Sequence, residues 1–131
     1  MEIIDAHHHL WDLNQFPYLW LAPEAGPRPF GDHASIKRNY EFSHYIDDTR
    51  SENVVASVLV QANVGTDDPV AEINWLAEEA DRAGRRVAIV GQADIFSPDF
   101  ERHLDLQMRN PYFRGVRVFA GWDNDPLWRQ T

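Results

Sequence analysis

The 131-residue chain contains no cysteine. That removes disulfide frameworks and thiolate metal sites, so any metal must be held by histidine and carboxylate ligands. No apolar run approaches the ~20 residues of a membrane span, and the start lacks the basic-then-apolar layout of a secretory signal. These absences lead to the expectation of a cytoplasmic protein. Positive charge is scarce: 12 Lys and Arg stand against 21 Asp and Glu, a formal net charge of −9. A nucleic-acid face and an anionic membrane are therefore poor partners. Neither a G-x-G-x-x-G turn nor a P-loop occurs, which argues against an open nucleotide-binding sheet. The remaining composition, 44% hydrophobic and 25% charged, is that of one modest globular domain with its own core.

What is present begins at once. Glu2-Ile3-Ile4-Asp5-Ala6-His7-His8-His9-Leu10-Trp11 reads as an apolar strand running into histidines. Side chains alternate across a strand, so Asp5, His7 and His9 are expected on one face and His8 on the other. His7 and His9, roughly 6.6 Å apart along the chain, can lean on one metal ion at ~2.0–2.1 Å or line one pocket. His8 reads as structural.

From about Asp12 to Phe42 the chain is irregular, with Pro17, Pro23, Pro27, Pro29, Gly26 and Gly31 breaking any regular element. Its aromatics (Trp11, Phe16, Tyr18, Trp20 and Phe30) are unlike a disordered linker and point to an ordered loop, a lid or a decoration packed on the domain. Ser43 is a candidate cap for a short helix to about Glu52. Val54 to Gln61 is a β-branched, continuously apolar run, as expected of a strand covered on both faces. Asp68-Pro69 reads as the start of a helix with a Val70, Ile73, Leu76, Ala77, Ala80 stripe that Gly84 ends. Arg86 to Ala93 is a third strand. Ser97-Pro98 starts a helix with Phe100, Leu104 and Met108 on one face, stopped at Asn110-Pro111. Gly115 to Ala120 is a fourth strand. Glu78-Glu79 and Arg85-Arg86 read as solvated faces.

Strands two to four recur about every 30 residues, the size of a βαβ unit. Parallel crossovers make either an open doubly wound sheet or a (β/α)8 barrel; with histidines where a glycine-rich turn would stand, the barrel is favoured. The expectation is an α/β fold of parallel (β/α) units, about four strands, equivalent to the first half of a TIM-type barrel, with residues 1–131 as one partial domain. In such barrels functional residues lie at the carboxyl ends of the strands. Those positions here are His7, His9, Gln61, Asp94 and Arg117. Gln61 is either a substrate hydrogen-bonder or a polar strand end. Arg117, inside an apolar strand, needs an anion: a substrate carboxylate held in bidentate fashion, or an ion pair with Asp5 or Asp94. Asp94 serves equally as a loop or capping carboxylate. Trp11, Trp20 and Trp122 are candidates for apolar site walls or for core packing.

Asp5-Ala6-His7-His8-His9-Leu10-Trp11-Asp12 resembles the opening of the amidohydrolase-related "amidohydrolase 2" group, which includes sugar-lactone and pyrone-dicarboxylate lactonases. The resemblance continues through Pro17-Tyr18-Leu19-Trp20-Leu21, Val58-Leu59-Val60-Gln61-Ala62, Glu72-Ile73-Asn74-Trp75-Leu76, Ile89-Val90-Gly91-Gln92-Ala93-Asp94 and Gly115-Val116-Arg117. It implies a hydrolase acting on a lactone or similar cyclic ester of a small carboxylated or sugar-derived substrate. His7 and His9 would then be catalytic, holding a divalent metal such as zinc or, without metal, donating hydrogen bonds to the carbonyl. Gln61, Arg117, Asp94 and Trp11 would bind substrate. The group completes its site with a histidine from a later strand and an aspartate after the last one, and no position here matches either. The chain therefore reads as the amino-terminal half of such an enzyme. Two alternatives stand beside this: a decarboxylase of the same superfamily, or an incompetent half-barrel that binds or assembles only. A metal-dependent nuclease is disfavoured by the charge. The expected partners are a small-molecule substrate and either a second copy or a complementary half.

Overall fold

The computed structural model describes residues 1–27 and 31–118. Four strands, β1 (Ile3–His8), β2 (Val54–Val60), β3 (Val87–Gln92) and β4 (Phe113–Arg117), form one sheet in the order β1-β2-β3-β4, every neighbouring pair parallel. Helices α1 (Phe42–Asp48), α2 (Ala71–Ala83) and α3 (Phe100–Gln107) fill the crossovers. Chain order equals spatial order, as in the wall of a (β/α)8 barrel, and the expected four-strand half-barrel is the fold observed.

The core lies between the sheet and its helices. Leu10, Phe42, Tyr45, Leu59, Ile73, Trp75, Leu76, Ala77, Ala80 and Ile89 form one buried cluster. Leu59 and Ile89 are fully buried on the helix side, whereas Val58 on the opposite face of β2 is half-buried and Ile4 on β1 is 66% exposed. The continuously apolar β2 therefore has one face covered among the described residues; the other is the face that lines the interior of a closed barrel. No helix among the described residues is long and apolar enough to cross a membrane.

Several local expectations shift by one or two residues for identifiable reasons. Ser43 falls inside α1: Glu41 is the cap, its carboxylate taking an N–H of the first turn while His44 Nδ1 accepts the Glu41 N–H at 3.1 Å, a reciprocal capping box. Asp68 does not begin α2 directly; its carboxylate accepts the Val70 N–H at 3.0 Å and turns the chain into a helix starting at Ala71. Gly84 ends that helix in the left-handed conformation at φ 62°, as its type requires. On α3 the buried position is Gln107, and Met108 is 62% exposed. Glu79, expected on a solvated face, is buried and ion-paired with Arg82. The end of the expected fourth strand, Phe119-Ala120, and Trp122 lie outside the described residues.

The long loop is ordered where described. Trp11 and Tyr40 exchange backbone hydrogen bonds as an antiparallel bridge. Two 3-10 turns, Leu19–Leu21 and Ala34–Ile36, break the path. A second apolar cluster of Trp11, Tyr18, Leu21, Ala62 and Val64 packs the loop onto the segment after β2. Lys37 Nζ donates to the carbonyls of Ala22 and Ala25 at 2.9 and 2.6 Å and reaches that of Pro23 at 3.3 Å, so its three donors stitch one turn of the loop together.

Candidate active site

The site forms at the carboxyl end of β1 and β2. The register there is irregular: Asp5 pairs with Ser57 but His8 with Leu59, so three steps on β1 match two on β2. This bulge breaks strict alternation. Asp5 therefore does not share the face of His7 and His9. Its carboxylate accepts the Tyr45 hydroxyl at 2.9 Å, and the Tyr45 ring stacks on His8 at 3.9 Å. His8 is buried on the helix side, with Nε2 hydrogen-bonded to Ser57 Oγ at 2.9 Å. Burial drives its pKa down to about 4, against the opposing pull of Asp5. It is a neutral structural histidine.

His7 and His9 do converge, with Nε2 atoms 3.1 Å apart and rings edge to face. His9 Nδ1 donates to the Val60 carbonyl at 2.7 Å. A carbonyl accepts only, so the His9 proton sits on Nδ1 and its Nε2 lone pair faces His7. Burial lowers the His9 pKa, as does the charge of Arg117, while the Val60 carbonyl opposes both. Two such nitrogens at this separation fit one ion at ~2.0–2.1 Å, with the second ring nitrogen of His9 already tied down. No group of three or more metal-ligating side chains occurs among the described residues; this pair is what the described chain offers.

Arg117 reaches across the sheet, its Nη2 donating to the Gln61 carbonyl at 2.7 Å. Its pKa is lowered by burial, and among the described residues the charge that opposes this is Glu72, not Asp5 or Asp94. The Gln61 side chain is fully buried and folds back, its Oε1 accepting the Asn63 N–H at 2.6 Å. Trp11 lies in the loop core, its indole N–H donating to the Arg38 carbonyl at 2.6 Å. Trp20 is closer to the strand ends: its indole N–H donates to the Ala62 carbonyl at 2.7 Å. Asp94 is not brought to the histidines. It is exposed, turns its own loop by accepting the Phe96 N–H at 2.9 Å, and borders a cavity of about 420 Å³ between the loops after β2 and β3.

Glu72 was not anticipated. It is 4% exposed, its Oε1 accepts the Ala62 N–H at 2.7 Å, and burial raises its pKa to about 7 against the pull of that hydrogen bond and of Arg117. One signal was available: Glu72 precedes Leu76 and Ala80 at four-residue steps, so a carboxylate stands at the head of a buried helical row.

A family profile described as amidohydrolase matches residues 4–131. The uncharacterized protein y4mH of Sinorhizobium fredii is 36% identical over 142 aligned residues, which cover 98% of this chain and 48% of that protein. The chain thus spans about half the length of the curated relative it matches. A zinc-bound crystal structure of an amidohydrolase from Burkholderia multivorans superimposes with a TM-score of 0.60 at 26% identity, over 88% of this chain and 36% of that one. A probable 2-pyrone-4,6-dicarboxylic acid hydrolase from Acinetobacter baumannii, with citric acid bound, shares the fold at a TM-score of 0.57 and 18% identity, over 99% of this chain and 44% of its own.

Proposed function

This chain belongs to the amidohydrolase family, and from that premise we propose that it carries the carbonyl-activating half of a hydrolase for a lactone or similar cyclic ester of a small carboxylated or sugar-derived substrate. The observation that supports this most is the 3.1 Å approach of His7 Nε2 to His9 Nε2, with the His9 tautomer set by Val60. A divalent ion such as zinc, held by those two nitrogens, would polarise the substrate carbonyl and lower the pKa of attacking water. The residues themselves do the rest. His9, fixed through Nδ1, keeps its Nε2 unprotonated and turned toward His7. Arg117 offers a planar donor fork suited to a substrate carboxylate. Trp20 and the loop it belongs to wall off the carboxyl end of β2.

Among the described residues the edges of β1 and β4 carry no further strand and the sheet face where Ile4 is 66% exposed is uncovered, which fits a polypeptide that supplies further parallel strands. The test follows from that. The chain is mixed with a polypeptide equal to the remaining half of y4mH and assayed against 2-pyrone-4,6-dicarboxylate and a sugar lactone. Ring opening in the mixture, absent from either part alone and abolished by His7→Ala, is expected. A folded mixture that opens no lactone refutes the lactonase reading, and carbon dioxide release in its place assigns a decarboxylase.

A further inference from the structure

Glu72 raises a question that the histidine pair does not answer. A carboxylate this deeply buried is costly unless hydrogen bonds and a counter-charge hold it. Both are present, and they meet at a single peptide group. Glu72 Oε1 accepts the Ala62 N–H at 2.7 Å, and the carbonyl of that same peptide, belonging to Gln61, accepts from Arg117 Nη2 at 2.7 Å. An acid from α2 and a base from β4 thus grip the two ends of one peptide at the carboxyl end of β2, and their charges attract. The flanking carbonyls are engaged as well: that of Val60 by His9 Nδ1 at 2.7 Å and that of Ala62 by the Trp20 indole at 2.7 Å. Immediately beyond, Asn63 holds φ 55°, a left-handed conformation that asparagine tolerates better than most residues and that surrounding contacts must enforce.

We propose that Glu72 is a positioning residue of this site: by holding the Ala62 N–H opposite Arg117 it fixes the Gln61–Ala62 peptide, and through it the direction of the Arg117 guanidinium and of the Val60 carbonyl that orients His9. The inference rests on the reading of His9 and Arg117 as substrate-facing groups. It goes further in assigning a helix residue, remote from substrate, to the geometry of both. The groups that face Glu72 are Arg117 from β4 and the Tyr18 phenol from the long loop. On its other side it borders the cavity shared with Asp67, Asp68, Asp94 and Asp99 and with Arg102 and His103 of α3.

The experiment uses the full 131-residue chain. Nuclear magnetic resonance of wild type between pH ~5 and ~9 follows the Ala62 amide and the Arg117 guanidinium, which are expected to titrate together with Glu72. Glu72→Gln keeps an acceptor for the Ala62 N–H and removes the charge, so the shared titration is expected to vanish and guanidinium rotation to quicken, with β3 amides unmoved. Glutarate serves as a plain dicarboxylate probe. In Glu72→Leu, which removes the acceptor as well as the charge, charge alone predicts tighter glutarate binding; positioning predicts binding weaker by about threefold or more, the scale of one lost hydrogen bond. Tighter or unchanged binding, or an Ala62 amide that does not titrate in wild type, overturns the proposal. If wild type binds no glutarate, the carboxylate role of Arg117 fails on its own, and the resonance measurements still decide the role of Glu72. Should either variant fail to fold, the wild-type titration alone carries the test.

Discussion

Gly91, near the carboxyl end of β3, faces α2 and α3 with no space for a side chain. A Cβ there would lie 2.1 Å from Gln107 Oε1 and 2.6 Å from Ile73 Cδ1. Both neighbours are fixed: Gln107 and Ile73 are at most 1% exposed, and Gln107 Nε2 donates to the Gln92 carbonyl at 2.8 Å. Gly91→Ala therefore forces the Gln107 amide aside or pushes α3 off the sheet. Overpacking of this kind costs about 1–3 kcal/mol, and loss of the Gln107–Gln92 bond is worth ~0.5–1.5 kcal/mol of that. The assay is urea unfolding of Gly91→Ala, Gln107→Ala and the double variant. The new methyl group occupies space that Gln107→Ala vacates, so the double variant is expected to be more stable than the sum of the single losses by about 1–2 kcal/mol. Additivity within ~0.5 kcal/mol, or a Gly91→Ala protein as stable as wild type, refutes the argument that these atoms compete for one volume.

Glu72 gives stability a pH slope. Its folded pKa of about 7 lies above the ordinary 4.5, so between those values the unfolded chain releases a proton that the folded chain keeps. Unfolding free energy should fall by about 3 kcal/mol as pH rises through that window, and Glu72→Gln should remove that component of the slope and leave a protein at least as stable as wild type at pH ~8; a slope identical in the variant argues against a buried, protonatable Glu72. Leu59→Ala, at a fully buried position, should cost about 2–5 kcal/mol in the same unfolding assay. Lys37→Met leaves the Ala22, Pro23 and Ala25 carbonyls without their ammonium donor, so amide exchange in that turn should accelerate while the sheet amides keep their protection.

Much of the architecture was legible because period and punctuation agree. The β-branched run before Gln61, the stripe from Ile73 to Ala80 and Gly84 each carry a local signal, and the structure places strand, helix and stop there. The approach of His7 to His9 was legible from two-residue spacing. The fate of Asp5 was not, because a bulge depends on the pairing of β1 with β2 and has no local signature. Glu79 was read as solvated because a paired carboxylate beside Arg82 looks like any surface charge in one dimension. Arg117 reads as needing an anion, and the charge among the described residues that favours its ionised form sits on α2, 45 residues earlier in the chain, so that only the fold brings the two together.

The bulge in β1 has an electrostatic outcome. On an unbroken strand a carboxylate at position five would stand beside the two converging imidazoles and favour their protonation. The extra residue turns that carboxylate toward Tyr45, so His9 feels the cation of Arg117 and an apolar surround in its place. An imidazole discouraged from taking a proton keeps its lone pair for another electrophile. One inserted residue thus leaves the carboxylate to the Tyr45 hydroxyl and the His7 backbone N–H, at 2.9 and 3.0 Å, and leaves the His9 lone pair on the other face of the strand.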